Sequence, residues 1–315
     1  YDLAVTEYGL ALQHGSKPLD VYKLRWSALE KLKRYDEAIA DVNNVLKAEP
    51  SNGQFALAAA EINFGRGNYQ EAANAYQKAI LSSPNNANLY YSLAAAKAKL
   101  GDIDGQAAAA EEAIKRNTQF LAESLVILGN ARHAQKRMPE AIDAYSRALA
   151  SRPDKVEAYR QLAELYRSQN RIDEAIDISK AGLRQHANNG EIYTDLTWFY
   201  SLAGRTDDAI AAGRSAVQLL PKNPMGYTNL CRAYNDAKKP EMAISTCNQA
   251  LRLAPNDGET LFYLGRAYDE MKNRPEAEKS YRRAVPGLET FTKANPDYSD
   301  GFYLLGNAYA EVGQN

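Results

Sequence analysis

Residue types that usually carry chemistry are scarce in this chain. Among 315 residues there are three histidines, two cysteines, two tryptophans and four methionines. His14, His133 and His186 stand far apart, with no cysteine or carboxylate at ligand spacing. A metal site wants its donors on one helical face or across a hairpin, so no metal and no cofactor are expected. No G-x-S-x-G, P-loop or dinucleotide fingerprint occurs, and "GRG" at 65–67 reads as a turn between helices. The acidic residues are scattered rather than paired, and no catalysis is expected within this stretch. An excess of one charge is also missing. The 38 basic and 39 acidic residues leave a net charge of −1, which gives no bias toward nucleic acid or an anionic membrane. No run of 18 apolar residues is available to span a bilayer. The sequence from Tyr1 does not open on a charged-then-apolar leader, and a removed one would leave no trace, so the compartment stays open between cytoplasm, periplasm and secretion.

What is present is one recurring phrase. "YDEAIADVNNVLKAEP" (35–50) returns as "YQEAANAYQKAILSSP" (69–84), "MPEAIDAYSRALASRP" (138–153) and "TDDAIAAGRSAVQLLP" (206–221). The period is 34 residues, marked by Ala38, Ala72, Ala141, Ala175, Ala209, Ala243 and Ala277. A second marked residue follows four places on, and a small one three further. Offsets of 0, 4 and 7 define one face of a helix. Before each phrase comes another helical pattern: "YRQLAELY" (159–166), "YTDLTWFY" (193–200), "YTNLCRAY" (227–234) and "LFYLGRAY" (261–268). Gly67, Gly101 and Gly204 mark the break between the two helices. Prolines such as Pro50, Pro84 and Pro221 end the second, because proline cannot continue a helix.

A helix–turn–helix unit cannot bury its apolar face alone, but stacked units share a continuous core. In period and residue pattern the chain resembles the tetratricopeptide repeat family. The resemblance implies an all-α fold, a right-handed α-solenoid superhelix of stacked antiparallel helix pairs. Repeats are expected at 19–52, 53–86, 87–121, 122–155, 156–189, 190–223, 224–257 and 258–298. Partial units fill 1–18 and 299–315, so the sequence is expected to belong to a longer protein. Seventeen or eighteen helices and no strand are expected. Three departures stand out. Arg25 and Trp26 replace a Leu and a small residue in the first repeat, and Gln106 replaces the marker alanine in the third. The eighth carries seven extra residues after Ala284, "VPGLETF", about two helical turns. An elongated helix kinked near Pro286 is expected there.

Cys231 and Cys247 fall on facing helices of one repeat, at positions that hold Gly, Ala or Tyr elsewhere. The plain expectation is two small buried thiols. A bridge is the alternative, and it needs Cα atoms within roughly 7 Å.

The resemblance places the first helices on the concave side. The residue after the repeating aromatic, and the one four further on, should line that groove. The candidate peptide- or protein-binding residues are Leu57, Glu61, Tyr91, Asn130, Arg160, Glu164, Trp198, Arg232, Phe262 and Arg266. The later ones form a basic-aromatic strip of hot-spot residue types. Against this, Arg160 and Glu164 read equally well as an (i, i+4) ion pair. Chaperone-binding relatives use a Lys/Asn/Asn/Lys/Arg set, of which only Lys23 fits, with Ser27 where the asparagine belongs. The groove-asparagine ladder of O-linked N-acetylglucosamine transferase is reduced here to the isolated Asn130, Asn229 and Asn307.

The leading reading is a non-catalytic scaffold or adaptor that binds a protein or peptide, with no nucleic acid and no membrane span. The alternative is the substrate-recruiting arm of a larger enzyme, a glycosyltransferase or protein kinase, whose catalytic domain lies elsewhere. Self-association through the terminal helices is a third possibility.

Overall fold

The computed structural model describes residues 1–296 and 298–313. Among them are eighteen helices and no strand. Seven pairs match the sequence units: α2 (Pro18–Lys31) with α3 (Tyr35–Ala48), α4 (Gly53–Gly65) with α5 (Tyr69–Ser82), α6 (Ala87–Leu100) with α7 (Ile103–Lys115), α8 (Leu121–Ala134) with α9 (Met138–Ser151), α12 (Gly190–Leu202) with α13 (Thr206–Leu219), α14 (Pro224–Asp236) with α15 (Pro240–Leu253), and α16 (Gly258–Glu270) with α17 (Arg274–Ala294). In register with them are α10 (Val156–Ser168) and α11 (Ile172–Gln185), while α1 (Asp2–Gln13) and α18 (Ser299–Glu311) are the partial units. The last two residues assigned to the final unit, 314–315, lie outside the described residues. The chain divides into two compact units, 1–158 and 159–315.

The marker alanines explain the pairing. Ala38, Ala72, Ala141, Ala175, Ala209, Ala243 and Ala277 are each 0 % exposed. A methyl group there lets two helix backbones approach while the large neighbours interdigitate around it. A second contact recurs between residues sixteen apart. Gly129 faces the ring of buried Tyr145, Gly265 faces that of Tyr281, and Gly213 faces Thr197. One partner is small, so the other has room to be large.

The turn inside each pair is equally regular. Its central residue is left-handed at Gly67, Gly101 and Gly204, with φ of 80°, 71° and 68°, and at Lys33, Lys136, Asn170, Lys238 and Lys272, with φ between 54° and 60°. The following N–H bonds back five residues, as in Asn68 to Asn63 and Arg205 to Tyr200, which closes the helix end. The next repeat then opens on a cap. Asn52, Asn189 and Asp257 accept from the backbone N–H three residues on, at 3.3, 2.9 and 2.9 Å.

The irregular repeats also fold. Arg25 forks onto the buried Asp41 at 2.8 and 2.7 Å, and Trp26 packs edge-on to Phe55. Gln106 is 7 % exposed and donates to the Ile127 carbonyl at 2.7 Å, so the amide is satisfied in an alanine's place. The seven-residue insertion lengthens α17 to 21 residues with Pro286 inside, against 14 for α15. Gly287 lies so close to Gly258 that a β-carbon on it would come within 2.6 Å of the Asn256 carbonyl. The added turns therefore lean backbone to backbone on the start of α16.

Cys231 and Cys247 are not free thiols: they form a disulfide, with Cα atoms 5.3 Å apart. They occupy the sixteen-residue contact that Gly129 and Tyr145 fill elsewhere. Small side chains on both helices bring the backbones within bridging distance.

Candidate functional site: the first-helix face

The named candidates divide between the two units. In the N-terminal unit Leu57 is half-buried against the core, and Glu61 is exposed. Tyr91 is stacked on Phe120, with ring centroids 4.6 Å apart. Asn130 accepts a hydrogen bond from the buried Tyr145 hydroxyl at 2.7 Å. Tyr91 and Asn130 are thus engaged within the unit. Lys23, the one match to the carboxylate-gripping set, pairs with Glu49.

In the C-terminal unit the candidates converge. Arg160 does not pair with Glu164. Its guanidinium takes Asp195 and Glu191 of α12, each at 2.6 Å, and Glu164 takes Arg167 at 2.7 Å. Two carboxylates presented by the neighbouring helix outbid one on the same helix. Burial raises the Asp195 carboxyl above its ordinary value, and Arg160 opposes that rise. Phe262 is not an open apolar face. It is 5 % exposed, tilted against Tyr281 at 5.5 Å. Arg266 lies 3.8 Å from Asp236. Arg232 has no hydrogen bond or ion pair among the described residues. It rests near the buried Tyr263 ring, 5.7 Å from its centroid.

Trp198 is half-buried. The Arg167 guanidinium lies 4.4 Å from its centroid, with Tyr298 on another side at 6.3 Å.

Trp198, Arg232, Phe262 and Arg266 line one cavity of about 1180 Å³. Its walls come from α12, α14 and α16, the added turns of α17 through Leu288 and Phe291, and the start of α18. Among the described residues, three buried polar atoms on this lining have no hydrogen-bond partner: Trp198 Nε1, Ser201 Oγ and Asn235 Oδ1. Asn235 is 2 % exposed, and its Nδ2 is already spent on the Cys231 and Tyr263 carbonyls at 3.2 and 3.0 Å. Glu259 also faces the cavity. Burial pushes its carboxyl up to about 7, with Arg232 pulling the other way. Among the described residues the wall therefore offers a cation with no hydrogen bond or ion pair, an uncommitted N–H, an uncommitted carbonyl oxygen and a carboxyl pushed up to about 7, on an apolar floor.

Asn235, Ser201 and Arg167 were absent from the candidate strip. They sit three residues beyond Arg232, Trp198 and Glu164, one turn further along the same helical faces. Extending the period by one turn identifies them. Among the described residues no group of three or more His, Cys, Asp or Glu gathers as a metal site, and no helix is long and apolar enough to cross a membrane.

The architecture and this lined face define a class of helical repeat scaffold. Profiles of the tetratricopeptide repeat match residues 27–88, 57–122, 91–156, 132–197, 226–257 and 259–285, and the chain belongs to the tetratricopeptide repeat family. A stretch of 100 residues is 32% identical to the Small glutamine-rich tetratricopeptide repeat-containing protein 2 of Mycosarcoma maydis; it takes in 32% of this chain and 28% of that protein. Among solved structures, a tetratricopeptide repeat protein from Parabacteroides merdae aligns over 81% of this chain and 98% of its own, at 13% identity and a TM-score of 0.62. YrrB, described as a TPR protein with an unusual peptide-binding site, aligns over 60% of this chain and 97% of its own, at 18% identity and a TM-score of 0.50.

Proposed function

We propose that the chain is a non-catalytic protein-interaction scaffold that holds a peptide or protein segment in the cavity of its C-terminal unit. The carrying observation is the set of uncommitted groups on one wall among the described residues: Arg232 with no hydrogen bond or ion pair, and Trp198 Nε1 and Asn235 Oδ1 without partners. Buried polar atoms are nearly always satisfied, and an extended backbone supplies both an acceptor for the indole N–H and a donor for the amide oxygen. The guanidinium suits an acidic side chain, and the exposed Phe291 suits an apolar one. The likeness to YrrB supports the fold of such a groove, and its described peptide site makes the same use reasonable here. Recruiting substrate for a catalytic domain elsewhere in a longer chain would use the same wall, and the full-length gene product distinguishes that case. The test is a peptide-library screen read by Trp198 fluorescence in a Trp26→Phe background. Trp198→Ala, read by calorimetry, and Arg232→Ala should each weaken a captured peptide by more than about 1 kcal/mol. Full affinity in both variants would place the binding surface elsewhere.

A further inference from the structure

The added turns of α17 pack against the segment that opens the following helix. A first helix packs on the first helix before it, as α14 does on α12 and α16 on α14. α18 likewise touches α16, and the segment at its start also reaches α10 and α12, several repeats back in the sequence. Asp300 lies 3.6 Å from the Arg167 guanidinium, and the Tyr298 ring lies 5.7 Å from the same cation and 6.3 Å from Trp198. The insertion holds this segment in place. Phe291 meets the Tyr298 ring edge-on at 5.6 Å and fills the space that a side chain on Gly301 would need, 2.9 Å from its β-carbon position.

The receiving site is built. Glu164 fixes one edge of the Arg167 guanidinium at 2.7 Å, and the Trp198 ring supports its face at 4.4 Å. Only 13 % of the Arg167 side chain is exposed. A planar cation set this way presents a remaining edge to a carboxylate and a flank to an aromatic ring. Tyr298, in extended backbone at the N-cap of α18, supplies the ring. Asp300, two residues on, supplies the carboxylate.

We propose that Glu164, Arg167 and Trp198 form a recognition site for a short partner segment carrying an aromatic residue and, two positions later, a carboxylate. The chain's own Tyr298-Ser299-Asp300 occupies that site as an internal stand-in and closes the end of the cavity beside Trp198. A partner segment of this pattern displaces the stand-in and continues along the wall toward Arg232 and Asn235. This rests on the scaffold reading. The internal segment competes at the high effective concentration of a tether, so its removal unmasks the site.

The probe is a synthetic peptide of residues 298–304, YSDGFYL, added to the full chain carrying Trp26→Phe, with binding followed by Trp198 emission. Tyr298→Ala with Asp300→Asn should bind it at least about tenfold more tightly than the parent, in which Tyr298 and Asp300 still occupy the site. Peptides with the tyrosine replaced by alanine or the aspartate by asparagine should lose that gain, as should adding Arg167→Met. Asp300→Asn alone gives a milder unmasking should the double variant fold poorly by circular dichroism. Equal binding by the double variant and its parent overturns the proposal. So does equal binding of the altered peptides. If the double variant ignores YSDGFYL but still takes a library peptide in an Arg232-dependent way, this inference fails while the scaffold reading stands. Loss of every peptide in every variant removes both.

Discussion

The turn inside each helix pair gives the sharpest test of the backbone. Lys33, Lys136 and Lys272 hold φ of 60°, 60° and 59° at the position where Gly67, Gly101 and Gly204 hold 68° to 80°. A side chain in this left-handed region costs about 1–2 kcal/mol. Glycine removes that strain, but its freer unfolded chain returns about 0.5–1 kcal/mol. Each lysine-to-glycine change should therefore stabilise by about 0.5–1 kcal/mol. Among the described residues no ion pair is lost at these three sites, unlike Lys238, which pairs with Glu270. Lys33→Gly and Lys136→Gly lie in one unit, far enough apart to add, for a combined gain of about 1–2 kcal/mol. The reciprocal change is clean as well. A β-carbon on Gly67 or Gly101 meets nothing within 4 Å, so Gly67→Ala should destabilise through backbone strain alone, by about 1 kcal/mol. Urea titration with hydrogen exchange across the flanking helices reads both signs. A loss of stability in Lys33→Gly, or none in Gly67→Ala, would refute the reasoning.

Three further outcomes are expected. Replacing Ala175, which is 0 % exposed, by leucine should overpack the helix pair and cost about 1–3 kcal/mol, and an unchanged melting temperature would count against the register. Opening the Cys231–Cys247 bridge, which closes a sixteen-residue separation, should cost about 3 kcal/mol in the C-terminal unit; identical unfolding curves with and without reductant would argue against the bond. Glu259, with its carboxyl raised from 4.5 to about 7, binds its proton more tightly folded than unfolded. Stability of that unit should accordingly fall as pH rises from about 4.5 to about 7 and then level off, and Glu259→Gln should flatten the fall. A slope unchanged by that substitution would assign it to other groups.

The repeat was legible because its signal is geometric. A buried alanine every 34 residues has one explanation, and each of the seven is fully enclosed. The groove was legible only in part. Arg160 and Glu164 carry complementary charges four apart, yet the closer match for Arg160 stands on the first helix of the next repeat at Asp195, a pairing visible only once the repeats are stacked. Phe262 follows the aromatic register but is covered by Tyr281, whose bulk fits because Gly265 is small. The fate of α18 was not legible at all. Seven residues announce a longer helix, but where its end points depends on the contact of Gly287 with Gly258, two glycines with no shared periodicity. The cysteines were ambiguous because small buried thiols and a bridge ask for the same positions.

The bridge between Cys231 and Cys247 also sets how the chain responds to tension. A stack of repeats pulled from its ends opens unit by unit, each 34-residue repeat releasing about 115 Å of contour length. In the seventh, the sixteen-residue loop behind the bond is withheld, about 55 Å that force cannot reach. That repeat yields roughly half the extension of its neighbours until a reductant reaches the bond, so one short step in a force–extension trace marks its place along the chain.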